Sequence, residues 1–264
     1  MMFDGFIGID AKIERAKHHL LDLQNAVKRF QDSSPYEIEA YDEDATGDQV
    51  YIVHVLREPP IALATILGDV VNNLRSALDY LVWELASGRG SDTLYFPIRH
   101  TAGDFERAIR GLEQIIRSNV AIDLLRATQA YEGGSGHGLW QLHQLNRREK
   151  HRFLIPVGAA NARATTSMPS AMMEMMRRFR HPLFHPGIVY VKPAERVFPL
   201  VEGIELYRLL AKGRGGVVGK NPQFAFEIAF GEGEIFKGEP ILPTLAQLTN
   251  LVERSINPFR PLLS

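Results

Sequence analysis

The chain has 264 residues, 45% hydrophobic and 23% charged, which is typical of a globular protein large enough to bury a sizeable core. Its formal net charge is −1, so binding to nucleic acid or anionic lipid would need a local basic patch. The absence of cysteine excludes disulfides, thiolate nucleophiles and cysteine-ligated metal sites.

Neither a secretion signal nor a membrane span is indicated. The N-terminal segment lacks the basic and long apolar regions of a signal peptide. The longest apolar run, Ile61 to Leu85, is interrupted by charged and amide side chains and is too polar to span a bilayer. We therefore expect a soluble, cytoplasmic protein that does not contact a membrane.

The first part of the chain predicts helices and one hairpin. An apolar stripe predicts a helix from Asp10, as its N-cap, to Phe30. Alternation then predicts an antiparallel hairpin within residues 36–57, ended by Glu58-Pro59-Pro60. Leucine and valine recur every three or four residues in a long helix at about 61–86. Further helices are predicted at 102–117 and 122–130, and a polar helix at about 138–152.

The pattern then changes to strands. We expect a buried strand at 153–158, a Met-rich helix at 170–179, strands at 188–191, 204–210, 224–230 and 234–236, and a final helix at 243–256. Gly231-Glu232-Gly233 predicts a hairpin turn between the last two strands. The interpretation is a single α+β domain over residues 1–264. It has a helical bundle core at about 1–158 and a sheet-rich C-terminal part at about 159–264.

Polar side chains interrupt the long helix at helical spacing. Asn72, Ser76, Asp79 and Trp83 share one face, and Arg75 lies one turn before Asp79. This row can line a cleft, face solvent or join the helix to its neighbours. Because buried polar groups are usually satisfied by partners, we favour a structural role.

The segment LWQLHQLNRREKHR, from Leu139 to Arg152, concentrates cations and imidazoles on one helix. Its polar members are His143, Asn146, Arg147, Arg148, Lys150, His151 and Arg152. Guanidinium groups bind phosphate through paired donors, and imidazole exchanges protons near neutral pH, so the segment is suited to a phosphate ligand. The two histidines lie two turns apart without a His-x-x-x-His pair, so we predict no metal or other cofactor. An ordinary solvated helix is an equally good interpretation.

Two blocks, at residues 69–85 and 131–152, resemble a group of uncharacterised bacterial proteins. That group combines an "NLRSALD" helix with an "LxxLNxxDKHR" helix and has a Phe-Pro-Ile segment between them, here Phe96-Pro97-Ile98. The resemblance covers residues 61–158, with Glu149 where the group usually has aspartate. It implies a lineage and no activity.

A weaker similarity is to HEPN domains, helical bundles that include metal-independent ribonucleases with an Arg-x4–6-His motif. The corresponding helix here has Arg147-x3-His151, which is one residue short of that motif. The similarity therefore consists of a long polar-faced helix beside a second helix that carries arginine and histidine. It implies ribonuclease activity as one hypothesis.

The leading hypothesis is a protein that binds RNA or nucleotide phosphate, and a metal-independent ribonuclease is the enzymatic form of that hypothesis. His151 would then be the general acid or base, Arg147 or Arg148 would stabilise the phosphorane charge, and Asp79 or Asn72 would orient the reacting groups. The remaining ligand-binding candidates are Arg75, His143, Asn146, Lys150 and Arg152. The alternative is a non-catalytic interaction module, with a protein partner or a homodimer, in which these side chains form an internal polar clamp.

Overall fold

The computed structural model describes residues 5–87, 94–152, 154–166, 190–193, 196–209, 222–231 and 235–263. The chain is an α+β protein, as predicted, and divides into two compact units. The helical unit combines residues 1–29, 60–156 and 232–264, and the sheet unit combines residues 30–59 and 157–231. The predicted hairpin thus groups with later strands, and the final helix groups with earlier helices. That residues 1–264 form one domain stays a prediction.

The helical unit is built around one long helix that is buried along most of its length. Its helices are α1 (Ile7–Asp32, whose last three residues belong to the sheet unit), α2 (Ile61–Leu85), α3 (Ala102–Glu113), α4 (Asn119–Ala127), α5 (His137–Glu149), α6 (Ile241–Ile256) and the short α7 (Arg260–Leu263). Helix α2 packs against both α5 and α6. All seven aliphatic residues that predicted its stripe, from Leu63 to Leu85, are buried.

Helix α2 approaches α5 closely at a glycine. A Cβ atom on Gly68 would lie 2.7 Å from Oε1 of Glu149, so the absence of a side chain makes room for that carboxylate. Each large aliphatic side chain buried along the same helix contributes about 1.5–3 kcal/mol. The packing of α2 therefore fixes the position of α5, which carries the candidate site.

The first helix begins earlier than the sequence indicated. It starts at Ile7, so Asp10 lies in its first turn and the prediction of Asp10 as N-cap is wrong. The carboxylate of Asp10 instead forms an ion pair with Arg260 at 2.5 Å, and Lys17 pairs with Glu253 at 2.7 Å. These pairs join α1 to the C-terminal helices.

Among its described residues, the sheet unit contains two three-stranded sheets. Its strands are β1 (Tyr36–Asp42), β2 (Gln49–Val55), β3 (Pro156–Thr166, whose first residue belongs to the helical unit), β4 (Tyr190–Pro193), β5 (Glu205–Leu209) and β6 (Gln223–Phe230). The sheet orders are β1-β2-β5 and β4-β3-β6. In the predicted hairpin, β1 and β2 pair antiparallel from Tyr36 opposite Val55 to Asp42 opposite Gln49.

Two details of the predicted strands differ from the structure. The strand expected from residue 153 begins at Pro156, and Phe153 lies outside the described residues. Ile235 and Phe236 lie in bends, so the strand predicted there is wrong. Phe236 has a φ of +58°, which an extended strand does not accommodate. The Met-rich helix at 170–179 and Glu232 to Glu234 lie outside the described residues.

Within the described ranges, no helix combines the length and apolar character that crossing a membrane requires.

Candidate functional site

Helix α5 presents two polar faces with different surroundings. One packs against α2 and forms the inner cluster, which consists of Arg75, Asp79, His143 and the backbone of Phe96. The other lines an open groove, the cationic cleft, with a volume of about 900 Å³. The leading hypothesis had combined polar residues of α2 and α5 in one site, and the structure divides them between these two places.

Arg75 is the centre of the inner cluster. Its side chain is only 6% exposed, and its Nη1 lies 2.6 Å from Oδ1 of Asp79, one turn along the same helix. Its Nη2 donates to the carbonyl oxygen of Phe96 at 3.3 Å. A guanidinium in a buried position needs such partners, because an uncompensated buried charge is strongly destabilising. Arg75 is therefore held by structural contacts.

Asp79 also joins α2 to the segment that follows it. Its Oδ1 accepts a hydrogen bond from the backbone N–H of Phe96 at 2.8 Å. Burial raises the pKa of Asp79, while the Arg75 guanidinium and the Phe96 N–H act in the opposite direction. The structure thus places Asp79 against Arg75 and Phe96, not among the residues that line the cleft.

His143 completes the inner cluster from α5. Its Nδ1 accepts a hydrogen bond from Nε of Arg75 at 3.4 Å. Burial, followed by the nearby cations Arg75 and Arg147, lowers the pKa of His143 to about 4. The ring is therefore neutral at physiological pH, as an acceptor must be. Asn146 lies one turn further along α5, is 4% exposed, and has no hydrogen-bond partner at Oδ1 among the described residues.

The cationic cleft collects most of the remaining predicted residues. Its cations are Arg147, Arg148, Arg152 and Lys237, and its imidazoles are His100 and His151. One carboxylate, Glu132, and the indole of Trp140 also line it. Among the residues that the structure describes, four cations against one carboxylate make this groove a local positive patch on a chain that is nearly neutral as a whole.

The end of α5 differs from the prediction. The helix stops at Glu149, so His151 and Arg152 lie in the turn that follows, where both backbone N–H groups donate to the carbonyl of Arg148. Trp140, Arg147 and Arg148 lie on the helix itself, at spacings that bring them to one face. Both His151 and Arg152 are exposed and can reach a ligand in the cleft.

Several of the predicted residues, Ser76 of the α2 row among them, lie outside both groups. Asn72 and Trp83 are exposed along α2, and Lys150 is exposed at the end of α5. The row from Asn72 to Trp83 is thus partly a solvent face, one of the interpretations considered for it.

Among the cleft residues that sequence reasoning missed, three have ionisable side chains: His100, Glu132 and Lys237. Each comes from a different segment, and no local spacing connects any of them to α5. The only signal was indirect, since His100 closely follows the Phe-Pro-Ile segment and Glu132 lies in the second block of the resemblance.

Across the part of the chain that the structure describes, no three His, Asp or Glu side chains are grouped so that they could hold a metal ion. No protein-family model, curated protein or solved structure matches this chain. The chemistry of the cleft is therefore the basis for inferring a function.

Proposed function

We propose that this chain binds RNA or nucleotide phosphate in the cationic cleft and cleaves RNA without a metal ion. The observation that carries the proposal is the open groove of about 900 Å³ that brings Arg147, Arg148, Arg152 and Lys237 together with His151. Guanidinium groups bind phosphate oxygens through two donors, and an ammonium adds a compact positive charge.

In this proposal His151 transfers a proton and Arg147 and Arg148 stabilise the transition state. The exposed position of His151 allows its ring to reach a bound phosphodiester. Proton transfer by a positioned side chain typically contributes about 10²–10⁴-fold to a rate. Cations in the same cleft would stabilise the extra negative charge that develops on the phosphorus oxygens.

A second role, as a structural clamp, is favoured for the inner cluster. Arg75 contacts Asp79, His143 and the Phe96 carbonyl, and these contacts join α2, α5 and the segment around Phe96. We therefore propose that Arg75, Asp79 and His143 support the position of α5 and do not touch the ligand. This assigns the internal polar clamp to one face of α5 and ligand binding to the other.

Binding is tested with a fluorescent single-stranded RNA titrated against wild type, Arg147→Glu and Arg152→Glu. Loss of a hydrogen bond to a charged group should weaken binding by roughly tenfold or more for each variant. Arg117→Glu makes the same change of charge at an exposed position outside the cleft and should bind as wild type does. Equal affinity of all four proteins would contradict a phosphate site in the cleft.

Cleavage is tested with a mixed pool of single-stranded and structured RNAs in EDTA, using wild type and His151→Ala. We expect wild type to cut at least part of the pool and the variant to lose that activity. His18→Ala, at an exposed position on α1, is the matched control. Tight binding without cleavage would reduce the proposal to a phosphate-binding protein.

A further inference from the structure

A carboxylate–imidazole pair that does not belong to α5 lies at the rim of the cationic cleft. Nδ1 of His100 lies 3.0 Å from Oε2 of Glu132, and both side chains line the cleft. The His100 side chain is 70% exposed, so the ring is open to a ligand. A carboxylate at this distance favours the tautomer that carries its proton on Nδ1, which leaves Nε2 as a proton acceptor.

The backbone places these two residues side by side. Arg99 and Tyr131 form a parallel β-bridge, and the N–H of Arg99 donates to the carbonyl oxygen of Ala130 at 3.0 Å. His100 and Glu132 follow the two bridged residues directly in the sequence. Because the bridge is parallel, they lie next to each other just beyond it. Their pairing therefore depends on the fold of the main chain and not only on two mobile side chains.

Trp140 connects this pair to α5. Its indole ring lies 5.9 Å from the His100 ring, centroid to centroid, and stacks on the His137 ring at 5.2 Å. Trp140 is 9% exposed and lies on the same helix as Arg147 and Arg148. The His100 ring is thus packed against the element that carries the phosphate-binding cations.

We propose that His100, positioned by Glu132, is a second proton-transfer residue of the cleft and acts together with His151 on RNA. Nε2 of His100 accepts the proton of the ribose 2′-hydroxyl while the 2′-oxygen forms a bond to phosphorus. The bond from phosphorus to the 5′-oxygen breaks, and the protonated ring of His151 gives its proton to that oxygen. The products are a 2′,3′-cyclic phosphate and a 5′-hydroxyl. Proton exchange with solvent then returns each ring to its starting protonation state.

This inference rests on the proposed function and specifies its substrate class. The nucleophile is the 2′-hydroxyl, so the substrate must be RNA, whereas DNA of the same sequence can bind and is not cut. One imidazole accepts the proton of the nucleophile and the other gives a proton to the leaving group. The cations bind the phosphate between them. Glu132 does not touch the substrate and acts as a positioning residue.

The experiment compares wild type with His100→Gln, His151→Gln, Glu132→Gln and the control His18→Gln on the RNA pool in EDTA. We expect kcat to fall by roughly 100-fold or more in each of the first two variants, because each removes one proton-transfer group. KM, and affinity for the same sequence as DNA, should stay close to the wild-type values. The fragments should end in a cyclic phosphate and a 5′-hydroxyl.

Glu132→Gln tests the positioning role. We expect kcat to fall with little change in KM. The nitrogen chemical shifts of the His100 ring, read by NMR, should change toward a mixture of tautomers. A variant that only loosened the fold would change the His18 signals as well.

Each failure has a separate meaning. If His151-dependent cleavage is seen but His100→Gln cuts as wild type does, this inference is wrong and the proposed function stands. Products that carry a 5′-phosphate would also overturn it, since they require attack by water. RNA binding without any cleavage overturns the inference and leaves only phosphate binding, and absence of RNA binding overturns the proposed function itself.

Discussion

Nε of Arg75 donates to Nδ1 of His143 across 3.4 Å, and this contact separates the histidine of the inner cluster from the histidines of the cleft. His143 is half-buried and works as a hydrogen-bond acceptor, whereas His100 and His151 are exposed around a positive groove. The same residue type thus has two roles on neighbouring surfaces of the helical unit, and burial distinguishes them.

The first prediction concerns acid stability. Because the folded-state pKa of His143 is about 4, below the usual 6.5, only the unfolded chain is protonated there between these values. The contribution of the neutral His143 ring to the free energy of unfolding is therefore fully present above pH 6.5. It is lost as the pH falls toward 4. We expect the free energy of unfolding to fall by about 1–2 kcal/mol. This is less than the lowered pKa of His143 alone implies, because solvent screens a partly exposed ring. The measurement is urea unfolding of wild type and His143→Gln across this pH range, and the difference isolates His143 from the carboxylates. A constant difference would contradict the prediction.

The second prediction concerns the buried ion pair. Asp79→Ala leaves the Arg75 guanidinium without its counter-charge and the Phe96 N–H without its acceptor. We expect the free energy of unfolding to fall by about 3–5 kcal/mol, as measured by urea denaturation. The double variant Arg75→Met/Asp79→Leu removes both charges and should be closer to wild type. A loss below about 1 kcal/mol in the single variant would show that the pair is dispensable.

The third prediction concerns the salt dependence of RNA binding. Each contact between a cation and a phosphate of single-stranded RNA changes the slope of log K against log salt by about −0.7. Arg147→Ala and Arg152→Ala should each make the slope shallower by about that amount. Lys150→Ala, at an exposed position beside the cleft, should leave it unchanged. Fluorescence titrations at several salt concentrations give the slopes. Equal changes in all three variants would contradict specific phosphate contacts in the cleft and indicate a general electrostatic attraction instead.

The fourth prediction concerns the sheet unit. His54 bridges Glu202, at 2.6 Å from Nδ1, and Glu39, at 2.7 Å from Nε2, and these contacts raise the pKa of His54. The resulting stabilisation is fully present below pH 6.5 and is lost as the pH rises through the higher folded-state pKa. The difference in urea midpoint between wild type and His54→Gln should therefore shrink at alkaline pH. A difference that grows with pH would contradict the assignment.

The sequence predicted elements where one pattern determined both structure and burial. Helix α2 is the clearest case, since its leucines at helical spacing specify a helix and also the face that it buries. The hairpin of β1 and β2 was predicted for a similar reason, because alternation identifies a strand and a short polar connection pairs two of them. Local periodicity was sufficient for both.

The site was only partly predictable because polar residues take their roles from distant partners. Arg147, Arg148, His151 and Arg152 were found from their clustering on one segment. Arg75 has hydrogen-bond partners in Phe96 and His143, which no local spacing relates to it. His100 and Glu132 become neighbours only through the bridge between Arg99 and Tyr131, a tertiary contact that periodicity does not encode.

That bridge has a consequence for the geometry of the cleft rim. Helices α3 and α4 lie between the bridged residues, so this part of the chain departs from the cleft rim and returns to its starting point. Arg126 on α4 pairs with Glu106 and Glu113 of α3, so the two helices also hold each other. Because the bridge holds both ends of this excursion together, the distance between His100 and Glu132 is set by the bridge and not by the number of residues that separate them along the chain.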